Sequence, residues 1–153
     1  MKVTIAAIAG RAPADAYQTL AALYLNRLQQ YTNAEAKTFR SERAFAEAVA
    51  VLRARTPPAV VLLDSRGRTL SSEDFAQWIG HRRDEGAQNL IFAVGPADGW
   101  SPQARTEAAT QAAGLLLSFG PMTLPHELAR VVLAEQLYRA FTILANHPYH
   151  GGH

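Results

Sequence analysis

Residues 115–150 read LLLSFGPMTLPHELARVVLAEQLYRAFTILANHPYH, and three kinds of structure follow one another in that span. Leu115 to Phe119 is a short apolar run suited to a buried strand. Gly120-Pro121-Met122-Thr123-Leu124 is a loop, because glycine and proline interrupt both regular periods. From Pro125 a helix is expected to about Asn146, proline being favoured where a helix begins. Its inward residues are read as Leu128, Val131, Val132, Tyr138 and Phe141. A strand running through a Gly/Pro loop into a long helix is the repeating unit of α/β folds.

The same alternation extends upstream. Lys2 to Ala9 reads as a strand, and Pro13 opens a helix whose apolar face is Tyr17, Leu20, Ala21, Tyr24, Leu28 and Tyr31. The opening stretch has one lysine before an apolar run, as a signal peptide would. The run is too short, and Arg11, Pro13 and Asp15 lead into a helix rather than a cleavage site. Glu35 to Phe39 is a second strand, and Ser41 caps a helix carrying Phe45, Val49 and Leu52. Ala59 to Leu63 and Leu90 to Val94 are unbroken apolar runs, the pattern of strands covered on both faces. Between them Asp64 to Arg68 is read as a turn around Gly67. Ser71 and Ser72 then start a helix carrying Phe75, Trp78 and Ile79, which ends near Gly86. Ser101-Pro102 caps one more helix. Residues 1–153 are read as a single α/β domain: a mostly parallel sheet with helices on both faces.

Composition narrows the chemistry. The 153 residues include no cysteine, which excludes disulfides, thiolate catalysis and cysteine-based zinc sites. Cytoplasmic residence is the expectation, and no apolar run approaches the ~18 residues that cross a bilayer. A net charge of +2 permits a nucleic-acid partner without arguing for one. His147 and His150 stand three residues apart beside Tyr149, but a zinc site needs three or four ligands, so no metal is expected. Ser118 has no nucleophile-elbow sequence around it. Neither a Walker sequence nor a GxGxxG follows the first strand, so phosphate cradles lack support.

In an open parallel sheet, ligands sit beyond the carboxyl ends of strands. Leu63 to Gly67, Gly95 to Trp100 and Gly120 to Leu124 occupy such ends. Loops rich in glycine let backbone N–H and C=O groups approach a ligand closely. Equally, those glycines can serve only to turn the chain.

From Leu115 onward the sequence resembles the C-terminal half of the bacterial large-subunit rRNA pseudouridine N3-methyltransferases, the RlmH branch of the SPOUT class. The matching elements are Met122-Thr123-Leu124-Pro125-His126, Arg130-Val131, Glu135 to Ala140, and Asn146-His147-Pro148-Tyr149-His150. Upstream the likeness continues through Leu63, Gly67, Leu70-Ser71-Ser72, Gly95 and Gly99, and it is loose over residues 11–58. The resemblance implies an α/β fold with a C-terminal trefoil knot, rare among proteins. It further implies a homodimer paired through the last helix, with the tail reaching the partner's pocket. S-adenosyl-L-methionine would be held by Leu63, Gly95, Phe119, Gly120, Pro121, Met122, Thr123 and Leu124. The substrate would be N3 of a pseudouridine in large-subunit (23S) rRNA of assembled ribosomes. Tyr149 and His150 would meet the base, His150 being the candidate proton acceptor, with Arg139 either placing RNA or pairing with Glu135.

The sequence departs from the family pattern at Pro96, at Gly120-Pro121 and at Gly151, where a basic residue is common. Two rivals follow. One is a SPOUT-fold methyltransferase with another RNA target, against which the Asn-His-Pro-Tyr-His ending argues. The other is a non-catalytic ribosome-binding relative.

Overall fold

The computed structural model describes residues 1–8 and 15–151. The expected strand end at Ala9 and the expected helix start at Pro13 lie outside the described residues. The elements are β1 (Lys2–Ile8), α1 (Ala16–Leu28), β2 (Asn33–Phe39), α2 (Glu42–Arg53), β3 (Ala59–Thr69) and α3 (Ser72–Asp84). They continue with β4 (Asn89–Val94), α4 (Pro102–Thr110), β5 (Leu115–Ser118) and α5 (His126–Leu144), and end in a 3-10 turn over Pro148–His150.

All strand pairs are parallel, in the order β2-β1-β4-β3-β5. Successive strand residues point to opposite faces, and the core divides accordingly. Val3, Ile5, Val61, Leu90 and Phe92 pack with Leu28, Phe75, Ile79, Leu133 and Leu137 from α1, α3 and α5. Ala6, Ile8, Val60, Leu62 and Ile91 pack with Phe45, Val49 and Ala108 from α2 and α4. Helices therefore cover both faces, which is why β3 and β4 carry unbroken apolar runs.

Local signals set the helix ends. The side chains of Asp15, Ser41, Ser71 and Ser101 each accept an N–H from the first turn of α1, α2, α3 and α4, satisfying donors that a helix start leaves unpaired. After α3, Gly86 adopts φ +86°, and its neighbour Ala87 donates back to Arg82 O at 2.9 Å, the arrangement that closes a helix on a left-handed residue.

On two helices the buried face differs from the expected stripe. On α1, Ala21 and Leu28 are buried, while Tyr17 and Leu20 of the same expected stripe are 39% and 42% exposed. The apolar arc of α1 is wider than the strip its own sheet covers. On α5, Leu133, Ala134 and Leu137 join Val131 and Phe141 in the core, whereas Leu128 and Val132 are only half-buried. That helix packs against α1 and α3 as well as the sheet, so it buries a broader arc than one stripe.

The region read as a turn around Gly67 belongs to β3. Leu117 of β5 is in register with Leu63 and, after a shift, with Arg68. Between those points the chain runs tight against β5: a Cβ on Gly67 would lie 2.5 Å from the carbonyl carbon and oxygen of Leu116 and 2.7 Å from the Leu117 nitrogen. Two segments of one strand thus engage the same residue of a later strand. This is in keeping with the knotted topology that the resemblance implies.

Backbone cannot yield there as a flexible side chain would, so Gly67→Ala should destabilise the protein by about 2 kcal/mol or prevent folding. Gly86→Ala, at φ +86° but with nothing within 4 Å of the added carbon, should cost only about 1 kcal/mol, the ordinary left-handed penalty. Denaturant unfolding of both variants compares the two; equal losses would show that the β3–β5 approach imposes no special constraint.

Candidate active site

The carboxyl ends of β3, β4 and β5 and the start of α5 enclose a cleft of about 470 Å³, within the range that ligand sites occupy. Leu63, Gly95, Phe119, Gly120, Met122, Thr123 and Leu124, all expected to hold a cofactor, line it. Pro121, also expected, is exposed and is not part of the lining.

Each wall has a local cause. Trp100, 3% exposed, donates its indole N–H to Leu63 O at 3.0 Å, tying the loop after β4 to the end of β3. Gly95 leaves room for that ring, since a Cβ there would sit 2.8 Å from the indole nitrogen. Pro96 has no N–H to give, but its carbonyl accepts from Gly99 at 2.9 Å, closing a turn with Gly99 at φ +86°. On the next loop Gly120 takes φ +116°. The Ser118 hydroxyl pins it, accepting from Gly120 N at 3.0 Å and donating to Gly120 O at 3.1 Å. Ser118 is thus a structural hydroxyl. Phe119 and Met122, 37% and 83% exposed, present apolar surface at the mouth of the cleft.

Asp64 was passed over in the sequence as part of a turn. Its side chain is only 6% exposed, it lines the cleft, and it accepts the Arg66 N–H at 2.9 Å. A buried carboxylate with further lone pairs is suited to a hydroxyl or a cationic group on a ligand.

Tyr149 and His150 do not line this cleft. They fold back on α5. The Tyr149 ring stands edge-on to Tyr138 at 4.6 Å, with the Arg139 guanidinium 4.9 Å from its centre. Its hydroxyl donates to Glu135 Oε1 at 3.0 Å. The same oxygen accepts Arg139 Nε at 3.0 Å and Nη2 at 2.8 Å, while Glu135 Oε2 accepts from Gln136 at 3.0 Å. Gln136 in turn receives the Ser72 hydroxyl at 2.8 Å. Arg139 does pair with Glu135, and it also reaches His150 Nδ1 at 3.0 Å, while His150 Nε2 lies 2.7 Å from Glu73 Oε1. Glu135 is the hub, legible in sequence only as half of an i,i+4 pair. Glu73 carried no signal, being one of two acidic residues in the first turn of α3, where carboxylates are common. His126 Nε2 lies 3.3 Å from Glu127, and His81 is exposed. Among the described residues no group of three or more His, Cys, Asp or Glu could hold a metal ion, and no helix is long and apolar enough to cross a membrane.

Burial, followed by the hydrogen bond to Glu135, pushes Tyr149 up from 10.0 to about 12. The His150 hydrogen bond, its largest influence, holds Glu73 below the ordinary carboxyl value. A folded-state value raised above the unfolded one gives stability that is complete below pH 10 and lost as pH climbs towards 12. Tyr149→Phe should therefore cost about 1 kcal/mol near neutrality, one hydrogen bond's worth. It should also remove part of the alkaline loss. Denaturant midpoints from neutral to alkaline pH test this; parallel curves for the two proteins would refute it.

The chain matches the family described as "Predicted SPOUT methyltransferase" over residues 1–150. It is 50% identical over 144 residues to the Ribosomal RNA large subunit methyltransferase H of Koribacter versatilis, spanning 94% of each chain. With the protein of that name from Brucella anthropi it shares 53% identity over 92 residues, 60% of this chain and 54% of the other. Among solved structures, AviRb from Streptomyces viridochromogenes, a SpoU methyltransferase in complex with AdoMet, aligns over 96% of this chain and 58% of its own. The identity there is 15% and the TM-score 0.48. On the family match and the full-length relative, this chain belongs to the SPOUT methyltransferase family.

Proposed function

We propose that the protein transfers a methyl group from S-adenosyl-L-methionine to N3 of a pseudouridine in the large-subunit rRNA of assembled ribosomes. The cleft at the strand ends carries the cofactor half of this reading. The full-length relative, named as a large-subunit rRNA methyltransferase, supports the RNA half. Pseudouridine N3 follows from the sequence resemblance of the tail. Cytoplasmic residence goes with a ribosomal substrate.

The cleft fits the cofactor in size and in lining. Apolar walls from Leu63, Phe119, Met122 and Leu124 suit an adenine ring, and the loops at Gly95 and Gly120 bring backbone groups close enough to read its edge. Asp64, whose Oδ2 lies 3.9 Å from Arg66 Nη1, is the buried carboxylate of the cleft and can accept a further hydroxyl or cationic group. When bound, the cofactor supplies an already activated methyl on its sulfonium. The chain's part is then to orient N3 of the base in line with that methyl.

Tyr149 and His150 are assigned to the base. Tyr149, with its hydroxyl committed to Glu135 and a raised pKa, stays neutral and offers its ring rather than a proton acceptor. His150 Nδ1 faces Arg139, a group that can only donate, so in this arrangement that nitrogen is taken. The expectation that His150 removes the N3 proton gives way to contact through Nε2: as the N3–CH3 bond forms and the S–CH3 bond breaks, the N3 proton is released to water. Because neither residue lines the cleft of its own chain, the reading requires two copies, with the tail of one serving the cleft of the other.

A ligand at 100 times its dissociation constant stabilises by about 2.7 kcal/mol. Saturating S-adenosylmethionine should therefore raise the melting temperature by several degrees, and the protein should methylate ribosomes isolated from a strain lacking the modification. Sedimentation should show a species of twice the chain mass. No thermal shift would overturn the cofactor assignment. A shift without methyl transfer would favour the non-catalytic ribosome-binding rival, and transfer to a different nucleoside would favour another RNA target.

A further inference from the structure

His150 is held from both sides by groups from different segments. Nδ1 is 3.0 Å from Arg139 Nη1 on α5, and Nε2 is 2.7 Å from Glu73 Oε1 on the first turn of α3. A guanidinium is always charged and has no acceptor, so Nδ1 must present its lone pair. The ring is therefore neutral, its one proton is on Nε2, and Nε2 donates to the Glu73 carboxylate. A doubly protonated ring would set Nδ1–H against an arginine N–H. Arg139 is fixed in turn by two bonds to Glu135 Oε1. Arg139 holds the ring at Nδ1. Glu73 supplies the second point, and two points fix the plane of the ring.

We propose that Glu73 is a positioning residue for His150, fixing the orientation of the ring whose Nε2–H tautomer Arg139 sets, and with it the donor that the tail presents to the substrate. The proposal rests on the reading that His150 meets the base. It changes what the imidazole does there. The nitrogen facing Glu73 is a donor, so a carbonyl oxygen of the base is the group that can take the place of the Glu73 carboxylate. Glu73 then holds the donor ready and yields it by exchange of one acceptor for another. Its side chain is 56% exposed while that of His150 is 19% exposed, so the acceptor is the partner open to replacement.

The test uses the full chain with isotope-labelled histidine, the His150 signals being assigned by comparison with His150→Ala. Long-range proton–nitrogen spectra are compared for wild type, Glu73→Ala and Glu73→Gln, with melting curves confirming that each is folded. Wild type should show a protonated Nε2 and a bare Nδ1. Glu73→Gln should keep that pattern, because the amide oxygen still accepts; Glu73→Ala should keep Nδ1 bare, because Arg139 still donates to it, while the Nε2–H signal moves as its acceptor is lost. A Glu73→Ala spectrum identical to wild type would overturn the proposal, whatever the activity. In methyl transfer to ribosomes, Glu73→Ala should lower kcat about tenfold, as expected when a ring that meets the substrate is no longer held in its orientation beforehand, with cofactor affinity unchanged and Glu73→Gln restoring most of the rate. If the Nε2–H signal moves in Glu73→Ala yet both it and His150→Ala transfer methyl at the wild-type rate, His150 does not meet the base. The functional reading of the tail then fails while the positioning by Glu73 stands.

Discussion

Leu117 sits where the chain meets itself. It pairs with Leu63 on one segment of β3 and with Arg68 on another, and Gly67 between them lies against the backbone of Leu116 and Leu117. That approach fixes three things together. It places the end of β5 beside the end of β3, so that the loop of residues 119–124 opens over the same cleft as Leu63. It sets where α3 begins, bringing Ser72 and Glu73 to α5. It also removes any freedom for a side chain at position 67. Packed interiors respond to such contacts as a jigsaw does, not by continuous deformation, so the cleft and the tail network both depend on it.

The cleft and the tail are built with different materials. Around the cleft the groups that matter are mostly backbone: the carbonyl of Leu63 held by Trp100, the turn closed by Pro96 and Gly99, and the loop pinned by Ser118. Such a site tolerates varied side chains provided the chain path is kept, and Pro96 illustrates this: it lacks an N–H, yet its carbonyl closes the turn. The tail relies on side chains. Glu135 alone accepts from Arg139, Tyr149 and Gln136, and removing it would strand several donors at once. A half-satisfied polar network costs more than an apolar one.

The sequence made the sheet legible because helices on both faces demand unbroken apolar strands, and Val60 to Leu63 and Leu90 to Val94 obey that demand. The caps at Ser41, Ser71 and Ser101 were legible because a helix start needs a short polar side chain whatever its surroundings. The cleft lining was legible through Gly95 and Gly120, where turns and strand ends coincide. Glu73 was not, because its meaning comes from a residue 77 positions away, and an acid in a first helical turn already has a sufficient local explanation. Trp100 and Asp64 escaped for the same reason: each acts through a fold-level contact, Trp100 across 37 positions to Leu63. On α1 the periodicity gave the apolar arc but not which part of it the core would use, since Tyr17 and Leu20 face outward.

The tail network also shows how a segment can be ordered and still be ready to serve a ligand. Its inner half is Tyr149, edge-on to Tyr138 and bonded to Glu135, whose side chain is 18% exposed. Breaking that half would uncover an aromatic surface and leave a partly buried carboxylate short of a donor, both unfavourable. Its outer half is the Glu73 carboxylate, largely in water, bound to the one His150 nitrogen that Arg139 leaves with a proton. Exchanging that acceptor for another costs little, because the carboxylate is more than half exposed and solvent can take the place of the imidazole. The inner anchor keeps the tail in place while the outer one can be replaced, so order and accessibility reside in different residues of the same short turn.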